Sequence, residues 1–500
     1  MLFFLFFFTI VYPSIGDFDY SHMASAIVSE DMGHVNLSNY TTPGSCIYTV
    51  MVSETSAITY DSIPTLPIQS IPLIFLFVVM LRRLMIKRWA WLSLSAVYFT
   101  FSTNPDRFTL EIHSLGAVLF LLLVVLTLLR IRARSSGEIS ANSIVIVLVL
   151  ISLNFMDYQL TFVALAFLLG LELLRYLQRR VSPTPSTQSA PKFALLVLLG
   201  AIFVLDWNQF FYHTFIPTIQ LSSEYSSSSG LQKIFNAFSH SASDPLSDYY
   251  RRNPSLLLFS LVIWQAIIFT ALLYFLIRTS RKPRVRQQLS APERTVLALG
   301  FSGILLLLVY ELIGSAAYEF MTIAGVAGIG VLHQSGGIRL QKILGASIVI
   351  LVVLNLTINA MVVSTGYYQG QKDFSHFESL DATAEWCVEQ KNGVVVVSDV
   401  MTNSFLLKTI AAEKATGFQV PGTLSRDQIM MILGLDDNTS MLLENSDYHF
   451  LINYKEQHYT ILGWDTFNSW SPERGRIAND YHFDVIYTTY NEDMLIVEPL

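Results

Sequence analysis

Long apolar runs, each stopped by a short basic cluster, organise the first 365 residues of this chain. A helix that crosses a hydrocarbon core about 30 Å thick needs roughly 20 apolar residues. On that criterion the runs predict spans near 2–15, 66–81, 88–103, 108–129, 142–156, 158–175, 192–207, 254–277, 295–313, 315–333 and 343–364. The first, third and fifth are short for a full crossing, which suits helices that tilt little or pack inside the bundle. After Gly366 the pattern changes. ESLDATAEWCVEQ reads as an amphipathic helix, GVVVVSDV as a buried strand, NSFLLKTIAAEKA as a second helix, and YHFLINY and FDVIYTT as further strands. Strands mixed with helices predict an α/β unit. The expected fold is a polytopic α-helical membrane protein of about eleven transmembrane helices over 1–365, followed by an extracytoplasmic α/β domain over 366–500. No internal repeat is visible.

Composition supports a membrane: 52% of residues are hydrophobic and 14% charged, with a mean hydropathy of +0.47, whereas roughly a quarter of residues are charged in soluble domains. The distribution of charge adds sidedness, because cytoplasmic loops carry the excess of lysine and arginine. Alternate loops do so, through Arg82, Arg83, Lys87 and Arg88; Arg130, Arg132 and Arg134; Arg175, Arg179, Arg180 and Lys192; Arg278, Arg281, Lys282, Arg284 and Arg286; and Arg339 and Lys342. The intervening loops, including 16–65 and 208–253, are acidic, neutral or serine-rich. This places the N-terminus in the cytoplasm and the C-terminal domain outside the cell membrane, which requires an odd number of spans. Residues 2–12 also resemble the core of a signal peptide, but they lack a basic flank and a small-residue cleavage site, so a first span is expected. The sequons at Asn36, Asn39 and Asn438 fall on the predicted outer side, as N-glycosylation requires. A net charge of −7 leaves no long basic surface for nucleic acid. Cys46 and Cys387 are too few for a disulfide scaffold or a zinc site, and one long-range bridge between them is compatible with their shared side.

Polar residues at the outer boundary are the candidates for chemistry. Asp17 and Asp19 follow the first apolar run and precede His22 and an amphipathic stretch. A carboxylate shielded by lipid on one side has a raised proton affinity and suits a general base, although acidic residues also simply mark an outer loop. In the next outer loop stand Asp106 and Arg107, with Glu111 and His113 about one turn into the fourth predicted span. An ionisable pair at that depth costs several kcal/mol unless it faces a polar cavity, or the helix begins later and both are solvated. Asp157, Tyr158 and Gln159 at the junction of the fifth and sixth spans, Asp206-Trp207-Asn208 after the seventh, Glu311, and Tyr318 with Glu319 lie on the same side. Each alone reads as a helix-end residue; their common side carries more weight and lets them line one outward cavity that binds substrate. No phosphate loop, dinucleotide fingerprint, zincin helix or nucleophile elbow is present in the sequence. An activated lipid in the bilayer is therefore the natural energy source.

Taken together these residues resemble the GT-C class of membrane glycosyltransferases, in particular mannosyltransferase-like archaeal and bacterial members distantly similar to oligosaccharyltransferases. The similarity lies in the order of parts: one helix, then an outer loop with Asp19, His22, Ala26 and Ile27, the stretch YDSIP at 60–64, an acidic second loop, and DYQLT at 157–161. The tail adds DATAEW, VVVVSD and ILGW. The resemblance implies that Asp17 or Asp19 is the catalytic carboxylate and that Asp106 or Glu111 is the acidic residue of the second loop. His113 stands where a second carboxylate is usual, which leaves a divalent cation, Mg or Mn, as an open question. The tail has Gly463-Trp464-Asp465 in place of a W-W-D motif. Transfer of one sugar is thus expected over en bloc transfer to asparagine. The implied partners are a polyprenyl- or dolichyl-phosphate-linked sugar donor, a glycan or protein acceptor, and membrane lipids. Candidate donors to the departing phosphate are His22, His113, Arg107 and the Arg251-Arg252 pair. The rival expectations are a transporter or flippase of lipid-linked saccharides and a non-catalytic relative. The lack of repeats and of charges at mid-span weighs against transport.

Overall fold

In hydrocarbon an unpaired backbone N–H or C=O costs several kcal/mol, so an apolar run closes its hydrogen bonds within a helix. The computed structural model describes residues 26–27, 30, 43–57, 70–85, 87–100, 112–133, 135–181, 192–207, 255–284, 289–308, 316–364, 386, 395–397, 448–453, 457–458, 467–468, 483–488 and 494–499. Its helices are α1 (Pro43–Ser56), α2 (Ser70–Leu84), α3 (Arg88–Thr100), α4 (Ile112–Arg132), α5 (Ser136–Met156), α6 (Tyr158–Val181), α7 (Ala194–Trp207), α8 (Ser255–Arg284), α9 (Ala291–Leu308), α10 (Ala316–Ser335) and α11 (Ile338–Ser364). From α2 onward a helix stands at each predicted apolar segment. The first predicted span, 2–15, lies outside the described residues.

Some helices begin earlier than the apolar runs suggest, and capping explains two of these starts. α5 begins at Ser136 rather than near 142 because the Ser135 hydroxyl accepts the Glu138 N–H at 3.2 Å. α9 begins at Ala291 because Ser290 and Glu293 form a reciprocal box: the Glu293 carboxylate accepts the Ser290 N–H at 3.0 Å while the Ser290 hydroxyl accepts the Glu293 N–H at 3.4 Å. α1 is a further difference, a helix inside the predicted outer loop 16–65.

Among the described residues three helices are long and apolar enough to cross a membrane, at Leu115–Arg132, Ser136–Met156 and Leu160–Arg180. Their packing differs in an informative way: 67% of the first and 56% of the third are buried by other helices, against 28% of the second. α5 therefore lies at the periphery, with Ile144 and Leu148 bare. α7 and α11 likewise expose Leu195, Leu198, Val349 and Val353, the extremes being 64% and 56%. In water each such side chain forgoes roughly 1.5–3 kcal/mol of burial, whereas in lipid it is already solvated. Several hydroxyls in the bundle bond back to their own helix, as when Ser302 donates to the Ala298 carbonyl at 2.8 Å and Ser95 to the Trp91 carbonyl at 2.7 Å. The chain is a helical, membrane-associated protein.

The core runs through Phe77, Phe120, Phe167, Trp264 and Phe275, all fully buried. α10 supplies the small face that draws the helices together: a Cβ on Gly325 would stand 2.4 Å from the Ile268 side chain of α8 and 3.1 Å from its carbonyl oxygen. Close approach of this kind replaces hydrophobic drive as the source of helix association in lipid.

The contacts at the helix ends sort the bundle into two faces. At one, Arg132 of α4 donates to the Arg83 carbonyl of α2, and Arg130 donates to the Lys192 carbonyl before α7 at 2.8 Å. Arg278 of α8 donates to the Ser335 carbonyl of α10 at 3.4 Å, while Trp89 of α3 meets His333 of α10 edge to face at 4.9 Å between centroids. This is the basic end. The opposite end holds the N-terminus of α4 and the α5–α6 junction at Asp157.

After Trp386, which is helical, the described residues are strands: β1 (Val395–Val397), β2 (Tyr448–Asn453), β3 (Gln457–His458), β4 (Phe467–Asn468), β5 (Phe483–Thr488) and β6 (Met494–Pro499). Four of them form a mixed sheet in the order β1-β2-β6-β5, and β3 pairs with β4. β1 runs parallel to β2, with Val396 opposite His449, while β6 is antiparallel to both β2 and β5. β6 was not expected, and it is a central strand.

Candidate functional site

Asp157 alone among the predicted site residues has a described side chain, and it is fully buried, 0% exposed. An ionisable group at such a place needs hydrogen-bond partners, and the start of α6 provides one. The Asp157 N–H ends α5 by donating to the Leu153 carbonyl at 2.7 Å. Its Oδ1 opens α6 by accepting the Leu160 N–H at 3.0 Å. Its carbonyl accepts the Thr161 hydroxyl at 2.9 Å. One residue thus closes one helix and caps the next, where the positive end of the α6 dipole favours a carboxylate. An aspartate just ahead of an apolar helix is a readable N-cap signal.

Two other parts of the chain meet this junction. A Cβ on Gly116, one turn into α4, would lie 2.7 Å from the Asp157 Cβ and 2.8 Å from Oδ2, so only glycine lets α4 approach this closely. A Cβ on Gly44 in the first turn of α1 would lie 3.0 Å from the Phe155 carbonyl carbon and oxygen. α1 therefore rests on the end of α5, with Cys46 and Thr49 buried and Ile47 and Met51 exposed one turn apart. Ala26, from the stretch that carries the Asp19 and His22 pattern, is also fully buried.

The same region brings together two carboxylates that sequence reasoning missed. Glu54 of α1 hydrogen-bonds with Glu30, and that bond, together with the repulsion between the two charges, raises the Glu54 carboxyl above its usual range. Like charges this close share a proton more readily than either alone. Tyr48 on the same helix is pushed up by burial.

The backbone also places others. His113 lies in the first turn of α4, three residues before Gly116; Tyr158 and Gln159 open α6; Tyr318 and Glu319 lie in the first turn of α10; Asp206 and Trp207 close α7. Because α7 starts and α10 finishes at the basic end, these residues and Asp157 share the opposite end. Asp17, Asp19, His22, Asp106, Arg107, Glu111, Asn208, Arg251, Arg252, Glu311 and Cys387 fall outside the described residues. No group of three or more metal-ligating side chains occurs among the described residues. No family model matches this chain, and no curated protein matches it.

Proposed function

We propose that this protein is a membrane glycosyltransferase of GT-C type, crossing the bilayer about eleven times with the N-terminus in the cytoplasm and the tail, an α/β domain, outside. It transfers a sugar from a polyprenyl- or dolichyl-phosphate donor to a hydroxyl on a lipid-linked glycan or protein. The observation that carries the reading is the gathering at one end of the bundle of Asp157, the first turn of α4 with His113, the opening of α6 with Tyr158 and Gln159, and the first turn of α10 with Glu319. The arginine clusters lie at the other end. That separation matches the sidedness expected of an outward-facing site.

Asp17 or Asp19 takes the proton of the acceptor hydroxyl as its oxygen attacks the anomeric carbon. The bond from that carbon to the lipid phosphate breaks, and the phosphate leaves with the electron pair. Arg107, His22, His113, Arg251 and Arg252 are the candidates to stabilise its charge. Asp157 serves as a positioning residue, since Oδ1 is committed to the α6 cap and fixes where Tyr158 and Gln159 stand. Substituting both Asp17→Asn and Asp19→Asn and following transfer from a radiolabelled lipid-linked sugar in membranes tests the reading. Loss of transfer is expected, and unchanged transfer contradicts it.

A further inference from the structure

The basic end of the bundle contains a group of charges that the proposed reaction does not use. Arg130 of α4 is 6% exposed, Arg175 of α6 is 9% exposed and Gln178, one turn further along α6, is 5% exposed. Arg130 donates through Nε to the Ser143 hydroxyl at 2.8 Å and through Nη2 to the Lys192 carbonyl at 2.8 Å, and its guanidinium stacks 4.7 Å from the Phe193 ring centroid. Arg175 pairs through Nε and Nη2 with Glu172, which also accepts the Phe193 N–H at 2.8 Å. Arg130, Phe193, Glu172 and Arg175 are thus linked in one chain across α4, α6 and the start of α7.

Two features of this cluster are unbalanced. Glu172 is hydrogen-bonded to Arg175, while buried Arg130 is held by a hydroxyl, a backbone carbonyl and a ring. The Nη1 of Arg130, the Nη1 of Arg175 and the Nε2 of Gln178 are each buried without a hydrogen-bond partner among the described residues. Three unpartnered donors, two of them on guanidinium groups, are costly to bury. The connection between α6 and α7, SPTPSTQSAP at 182–191, has no acidic residue to offset them. Half-buried Arg179 and exposed Lys192 stand at the edge of the cluster. Guanidinium groups are the usual partners of phosphate, which accepts several charge-assisted hydrogen bonds at once.

We propose that Arg130, Arg175 and Gln178 form a cradle for a phosphate monoester, supplied by an anionic lipid headgroup at the leaflet that the basic end faces. The site is separate from the sugar-transfer end, and it stands whether or not that reading holds.

The test uses the full-length protein in neutral detergent, titrated with dihexanoyl phosphatidic acid, dihexanoyl phosphatidylcholine and inorganic phosphate, with binding read by calorimetry. Phosphatidic acid is expected to bind at least tenfold more tightly than phosphatidylcholine, and also more tightly than inorganic phosphate. The paired substitution Arg175→Gln with Glu172→Gln keeps the cluster's charge difference and the acceptor for the Phe193 N–H, and should weaken phosphatidic acid about tenfold. Gln178→Met, which replaces an unpartnered donor by a side chain of similar size, should weaken it a few-fold without loss of folding. Equal binding of inorganic phosphate and phosphatidic acid would overturn the lipid assignment. Unaltered affinity in both variants, or no binding of phosphatidic acid above phosphatidylcholine, would overturn the cradle itself.

Discussion

The two ends of this bundle solve the problem of buried polarity in opposite ways. At the basic end, side chains reach across long stretches of sequence: Arg130 meets the Lys192 carbonyl and the Phe193 N–H meets Glu172. At the other end Asp157 bonds within four residues of itself, its Oδ1 accepting the Leu160 N–H and its carbonyl the Thr161 hydroxyl, and its neighbours approach through glycine. The first arrangement ties helices together with charge; the second holds a tight junction with little side-chain chemistry committed. The backbone places the first turns of α4 and α10 and the opening of α6 at this second end.

The largest expected effect comes from breaking the charged end. Glu172→Ala leaves Arg175 and Arg130 buried without their carboxylate, and removing one member of such a network costs about 3 kcal/mol. Thermal unfolding in detergent should show a marked loss. Glu172 is accessible enough, at 17% side-chain exposure, for part of that cost to be relieved by water.

Next is the junction. Gly116→Ala places a methyl group 2.7 Å from the Asp157 Cβ and should destabilise by about 1–3 kcal/mol. Asp157→Ala removes the α6 cap and should cost about 1–2 kcal/mol, whereas Asp157→Asn keeps a capping oxygen and should cost less. If the alanine and asparagine variants unfold at the same temperature, the cap is not what holds this end.

The smallest effect distinguishes α1 from the helices it packs on. Glu54 has its proton affinity raised by Glu30, so its contribution is present at low pH and is lost as pH rises past the usual carboxylate range. Protection factors for amide exchange in Pro43–Ser56, taken relative to the intrinsic rate at each pH, should fall over that window while those of α4 and α6 hold, and Glu54→Gln should remove the fall. Unchanged protection factors across the window would contradict the shared proton.

Much of the helical plan was legible because basic stops interrupt apolar runs, and this signal is local. The starts of α5 and α9 were legible too, in Ser135–Glu138 and Ser290–Glu293, although hydropathy alone hid them. Asp157 as a cap could be read from its place ahead of an apolar helix. The Arg130–Phe193–Glu172–Arg175 chain could not, since it joins positions up to 62 residues apart through a fold that charge patterning does not specify. α1 was missed because a stretch of mixed polarity gives no clear period, and β6 because a short apolar run gives little alternation to mark it.

The central claim is that sugar transfer occurs at the end opposite the arginines. The most direct measurement is transfer of radiolabelled sugar from a polyprenyl- or dolichyl-phosphate donor by membranes carrying the protein, compared with membranes carrying Asp17→Asn and Asp19→Asn together. Incorporation in the first and its loss of at least a hundredfold in the second, at equal protein level, is the predicted result. Equal incorporation in both would contradict the account.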